Sequence, residues 1–229
     1  VADFPEPLMI KGAVHFETRN EIALLSIDNP PVNPLSAGVR LGICDGIERA
    51  LADKKVKAIV ITGMHRAFIA GADISEFGAA VTEVPSLLDA LDDMESSPKP
   101  VIAAINGTAF GGGLEVALCC DYRIAAPTAP IGLPEEKLGL LPGGGGTQRL
   151  PRLIGAEASV KAIISGDPIL APDALAMGIV DRIATGDILE AAIAYAQEII
   201  AGGAAKRRVR DIEDKIATDR GNEALFAQF

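Results

Sequence analysis

The chain has 229 residues, 49% of them hydrophobic, enough to bury one sizeable core and within the usual range of a single domain. Twenty-one Lys and Arg stand against 31 Asp and Glu, a net charge of −10, so the global field repels nucleic acid and anionic lipid, and an anionic ligand needs a local basic site. Cys44, Cys119 and Cys120 supply neither a disulfide framework nor a metal-ligand spacing, the first residues lack a leader pattern, and no apolar run reaches the roughly 18 residues that span a bilayer, which together read as a reducing, cytoplasmic setting.

Alternating apolar and polar residues over Gly12–Glu17 and Glu21–Ile27 predict a β-hairpin. After the Pro30-Pro31 break, Ser36 is placed to cap a helix running to about Asp53, and Lys57–Gly63 reads as a buried strand. The rhythm returns with a helix over Glu83–Glu95, a strand over Pro100–Gly107, a helix over Gly112–Cys120 and a strand over Arg123–Ala126. Beyond Gly143 the pattern is helical with one strand-like stretch at Gly178–Ile183, and residues 204–229 are highly charged, as expected of an appended helix or the start of a linker. This order predicts an α/β fold with mainly parallel pairing, its functional groups gathered where strands end and helices begin.

Two junctions stand out. AFIAGAD (Ala67–Asp73) follows a strand and combines small residues with a glycine, so backbone can approach a ligand and expose an amide. NGTAFGGGLE (Asn106–Glu115) places three glycines at the mouth of a helix, where unpaired N–H groups and the helix dipole stabilise negative charge, with Gly112 as the natural donor. One amide from each loop would make an oxyanion hole for a thioester enolate. Each loop alone also fits a plain tight turn. Glu115, one turn into that helix, and Glu135, in IGLPEE, add two carboxylates suited to general acid-base work, although a lone Glu in an apolar helix equally fits a paired structural residue.

In combination, FIAGAD, GGGLE, GLPE and the following LGLLPGGGGTQRL resemble the crotonase (enoyl-CoA hydratase/isomerase) superfamily in order and spacing over roughly Gly12–Ala201. The resemblance implies a crotonase-like ββα spiral core with a helical C-terminal region. It implies that the amides of Ala72 and Gly112 hold the thioester oxygen, and that Glu115 and Glu135 activate water and protonate the α-carbon, in an order left open. It also implies substrate contacts at Ala70, Gly71, Asp73, Ile74, Gly111, Pro134 and Gly143, with Pro31 and Val32 against the CoA adenine. Because both acidic positions are filled, hydration of a trans-2-enoyl-CoA in fatty-acid β-oxidation is favoured, with isomerisation a second activity. A dedicated delta-3, delta-2-enoyl-CoA isomerase and a non-catalytic CoA-binding relative are the alternatives. The substrate brings CoA with it, and neither a separate cofactor nor a metal is expected.

The tail departs from ordinary single-domain hydratases and is similar to the region that joins the hydratase part of multifunctional β-oxidation enzymes to a dehydrogenase part. A hydratase domain over 1–203 and a charged tail over 204–229 follow, the chain being either covalently linked to a dehydrogenase part or, standing alone, a homotrimer or hexamer. The cluster Lys206–Arg210 reads as a solvated helix face or, less readily, as a contact to CoA phosphates. Neither His15 and His65 nor the loop Phe77–Pro85, which would shape the acyl pocket, yields a role from sequence.

Overall fold

Strand-forming residues open the chain. In the computed structural model, which describes residues 13–76, 85–203 and 206–227, Val14–Arg19 (β1) and Ile22–Ile27 (β2) pair antiparallel through Asn20 and Glu21, both at positive φ as a two-residue hairpin turn requires. Helix α1 (Ala37–Ala52) starts at Ser36, whose hydroxyl accepts from the Val39 amide, and buries Val39, Ile43, Ile47 and Ala50 along one stripe. The chain then runs through β3 (Ala58–Gly63), β4 (Ala67–Ile69), α2 (Leu87–Ser96), β5 (Val101–Ile105), β6 (Thr108–Phe110), α3 (Gly112–Cys119), β7 (Tyr122–Ala125) and β8 (Pro130–Gly132). The C-terminal half adds α4 (Gly146–Ile154), α5 (Ala156–Ser165), β9 (Ile169–Leu170), α6 (Ala171–Met177), β10 (Arg182–Ile183), α7 (Ile188–Ala201) and α8 (Glu223–Phe226). The expected start of α2 at Glu83 and most of the Phe77–Pro85 loop lie outside the described residues; α2 is capped by a reciprocal Ser86–Asp89 box.

Two sheets form. The larger runs β1-β2-β3-β5-β7-β10, parallel from β2 onward, and the smaller runs β4-β6-β8-β9 with its first three strands parallel. Every residue of β3 and β5 is buried, as continuous apolar runs covered on both faces should be. α7 covers one face through Ala192, Ile193, Ala196 and Ile199, and α1 and α3 pack in the main core on the other. Each of β3, β5 and β7 is followed within a few residues by a short strand of the second sheet, and this repeat is the ββα spiral. The three short strands are not legible as periodic segments, and the stretch expected as strand over Gly178–Ile183 pairs only at Arg182 and Ile183 because Gly178 closes α6 in a left-handed conformation.

Successive turns of the spiral press backbone against backbone. A Cβ on Gly107 would run into the Arg66 carbonyl oxygen, and one on Gly113 into that of Ile69 in β4. At the other end of α3 the fully buried Arg123 donates to the carbonyls of Ala117 and Cys120 and to Ile179, satisfying helix-end acceptors with a cation.

The C-terminal segment differs from expectation. Among the described residues helix is limited to a 3₁₀ turn at Val209–Asp211 and the single turn of α8, and the segment is tied to the domain by Lys206, Arg207, Arg210 and Asp219, with Val209 buried. Gly113→Ala should destabilise the fold by about 1–3 kcal/mol, or roughly 2–4 °C of thermal midpoint per kcal/mol, as read by calorimetry. A midpoint equal to that of the unmodified protein would contradict the tight stacking.

Candidate active site

The parallel pairing of β4, β6 and β8 sets the carboxyl ends of three short strands side by side, so the residues that leave them meet. Ala70–Asp73 leaves β4, Gly111 and Gly112 leave β6, and Leu133–Glu135 leave β8. Gly111, at positive φ, turns the chain into α3 while its amide donates to the Gly132 carbonyl at 2.9 Å. Gly112 is therefore the first residue of α3, where an amide has no acceptor within the helix. Leu35 bridges to Ala72 and donates to the Gly71 carbonyl at 2.9 Å, so strand alternation turns the Ala72 N–H away from Leu35. The Ala72 nitrogen lies near Gly112: an added Cβ there would be 3.8 Å from it.

Both residues line a cavity of about 440 Å³ walled by Val32, Pro34, Ala70, Gly71, Ala72, Asp73, Ile74, Phe110, Gly111, Gly112, Pro134, Glu135, Leu138 and Leu140. Most of the sequence-derived site is thus gathered in one place. Pro31, Gly143 and the buried Glu115 are not among the cavity-lining residues.

The two carboxylates are held differently. Glu115 is buried, and its Oε1 accepts from the amides of Gly144 and Gly146 at 2.7 and 2.8 Å. Glu135 sits in the first turn of a 3₁₀ segment begun by Pro134, with Oε2 buried and without a hydrogen-bond partner among the described residues. Burial pushes the Glu115 carboxyl above its ordinary value, opposed by the Gly146 and Gly144 amides and by the charge of Arg149. Burial raises Glu135 as well; its own amide opposes this and the negative charge of Glu115 adds to it. The arrangement can therefore receive an oxyanion on two amides and move a proton through either of two coupled carboxyls.

A family model described as enoyl-CoA hydratase/isomerase matches residues 17–228. The chain belongs to the enoyl-CoA hydratase/isomerase family. It is 48% identical over 187 residues to a peroxisomal bifunctional enzyme of Pongo abelii, covering 82% of this chain and 26% of that protein. It is also 43% identical over 175 residues to a probable enoyl-CoA hydratase of Bacillus subtilis (strain 168), covering 74% of this chain and 68% of the relative. The chain thus spans about a quarter of the length of the bifunctional relative. Among solved structures, an enoyl-CoA hydratase from Mycobacterium marinum superimposes with a TM-score of 0.77 at 34% identity, over 95% of this chain and 87% of the other.

Within this enoyl-CoA hydratase/isomerase domain, sequence reasoning missed the residues that hold Glu115. The run Gly143–Gly146 is read there only through Gly143, whereas the donors are Gly144 and Gly146; a Cβ on Gly144 would come within 2.6 Å of Glu115 Oε2, so the run itself carried the signal. The cluster Lys206–Arg210 is neither a solvated helix face nor aimed at the cavity. Lys206 approaches Asp121 at 3.6 Å, Arg207 pairs with Asp181 over the Tyr122 ring, and Arg210 donates to Glu95 at 3.2 Å. His15 and His65 both bond Asp28, at 3.1 Å each, away from the cavity-lining set. No cluster of three or more His, Cys, Asp or Glu side chains able to hold a metal is present among the described residues.

An acid raised by folding holds its proton more firmly folded than unfolded, so its contribution to stability falls as pH rises from the ordinary Glu value of 4.5 through the raised one. Glu135→Gln mimics the protonated form. It should raise the thermal midpoint at neutral pH, with the gain vanishing below pH 4.5, as followed by thermal unfolding across pH.

Proposed function

We propose that the chain is an enoyl-CoA hydratase, adding water reversibly across a trans-2-enoyl-CoA to give the 3-hydroxyacyl-CoA. The observation that carries this is the unpartnered, buried Oε2 of Glu135 in a cavity it shares with the Ala72 and Gly112 amides, backed by an amide-held Glu115. The thioester oxygen accepts from the two amides, which face no reorganisation as negative charge grows there in the enolate. Glu115 is raised by burial, but its ionised form, unlike that of Glu135, has two backbone donors and the charge of Arg149 in its favour, and it takes a proton from water as the water oxygen attacks the β-carbon. Glu135, held toward its protonated form by burial, delivers a proton to the α-carbon. CoA belongs to the substrate and leaves with the product, so the chemistry needs only groups of this chain.

A second activity follows from Glu135 being the carboxylate in the cavity wall: with the oxyanion hole alone it can shuttle a proton between α- and γ-carbons and isomerise a 3-enoyl-CoA. The same reading places the chain as the hydratase part of a longer multifunctional enzyme, in line with the quarter-length match to a bifunctional relative.

Crotonyl-CoA should lose its conjugated absorbance in the presence of the protein, and Glu135→Gln should slow turnover by at least about 10²-fold while acyl-CoA affinity stays nearly intact. Absence of hydration, alongside brisk turnover of a 3-enoyl-CoA, would overturn the hydratase reading in favour of the isomerase.

A further inference from the structure

Glu95 on α2 and Arg149 on α4 lie outside the cavity and take no part in the steps above. Both are nonetheless sealed in the core, at 0% and 9% exposure. Arg149 donates through Nε and Nη2 to the two Glu95 oxygens at 2.9 and 2.8 Å, fork against fork, and its third arm, Nη1, donates to the Gly144 carbonyl at 2.9 Å. Taking two charges out of water costs several kcal/mol per ion, so such a pair is a poor source of stability in itself. What it grips is more informative.

Gly144 is one of the two residues whose amides hold Glu115, and Gly146 is the other. Between them Gly145 lies so close to the guanidinium that a Cβ there would run into Nη1. We propose that Arg149, oriented by Glu95, is a positioning residue for hydration: it locks the 144–146 loop so that both amides converge on Glu115, and it sets a positive charge behind that carboxylate. The inference rests on the hydratase reading.

The charge of Arg149 also opposes the burial that raises the Glu115 carboxyl. Titratable neighbours that feel the Glu115 charge are Glu135 after β8 and Cys119 on its own helix, whose thiol burial keeps neutral. Behind Arg149 stand Glu95 and, at the outer edge, Arg210 with Asp92. Removing the Arg149 charge lets Glu115 take a proton at higher pH. Removing the Glu95 charge leaves Arg149 unneutralised and acts in the opposite sense. A mere packing defect does not move a titration in two directions.

The test is steady-state kinetics with a trans-2-enoyl-CoA on the full-length protein and its variants Arg149→Met, Arg149→Lys and Glu95→Gln, each with a pH profile of kcat/KM. Arg149→Met should lower kcat on the order of 10²-fold with KM changed less than about threefold, as for a misplaced catalytic group. Its acid limb should move to higher pH, Arg149→Lys should return that limb toward its original position, and Glu95→Gln should move it lower. Should Met at 149 prevent folding, the volume-preserving Glu95→Gln decides by the direction of its shift. An active parent enzyme whose folded variants keep its kcat and acid limb would overturn the positioning role alone. A parent without hydratase activity would instead overturn the reading beneath it.

Discussion

Close backbone approach between successive turns of the spiral is the constraint on which the site depends. Three strands of three residues each, Ala67–Ile69, Thr108–Phe110 and Pro130–Gly132, are too short to be stable by themselves, and a parallel ladder of this length gains little from its hydrogen bonds. Backbone stacks on backbone around them with no side chain between, at Gly107 against Arg66 before β6 and β4, and at Gly113 of α3 against Ile69 of β4. The tight spacing also brings the Ala72 nitrogen beside Gly112. Packing therefore asks for a start of α3 without Cβ atoms at Gly112 and Gly113, and Gly112 lines the cavity.

Charge at the site is handled mainly by backbone. The protein carries a net charge of −10 and buries two carboxyls near each other, an arrangement that raises both and would leave an anionic intermediate poorly placed among side-chain charges alone. Nearby cations are already engaged, Arg149 with Glu95 and Arg123 with helix-end carbonyls and Asp181. Peptide dipoles remain, and they are fixed by the fold. In the proposed reading two of them, at Ala72 and Gly112, serve the cavity, and two donate to Glu115 at Gly144 and Gly146. A dipole that need not reorient stabilises developing charge more effectively than a mobile side chain, and it contributes nothing to net charge.

The sequence was readable where elements are long enough to carry a period. Ser36 announced α1, the unbroken apolar runs announced β3 and β5, and the glycines before Leu114 announced the start of α3. Three-residue strands carry no period, so the second sheet was visible only as glycine-rich junctions, although residues of those junctions line the cavity. Long-range pairing was hidden for a different reason. That Glu115 would reach amides 29 and 31 residues onward is a consequence of α3 and α4 packing together, which local pattern does not encode. The tail was misjudged on charge: a run of Lys and Arg suggested solvation, and the acids that pair with it, Asp121, Asp181 and Glu95, come from three separate elements or turns of the core.

Those pairings bear on how strongly the tail can influence the site. Glu95 receives Arg149 from the side of the 144–146 loop and Arg210 from the side of the tail, so one buried carboxylate joins the two. The two arms differ in weight. Arg149 is nearly enclosed and grips both oxygens, whereas Arg210 is 44% exposed and reaches one of them at 3.2 Å. Exposed pairs are typically worth 1 kcal/mol or less, roughly a fivefold bias, while loss of one partner from a buried pair costs about 3–5 kcal/mol. Movement of the C-terminal segment would therefore trim the charge seen by Arg149 without releasing its hold on Gly144. The geometry around Glu115 is set within the core, and the tail touches it only through Glu95.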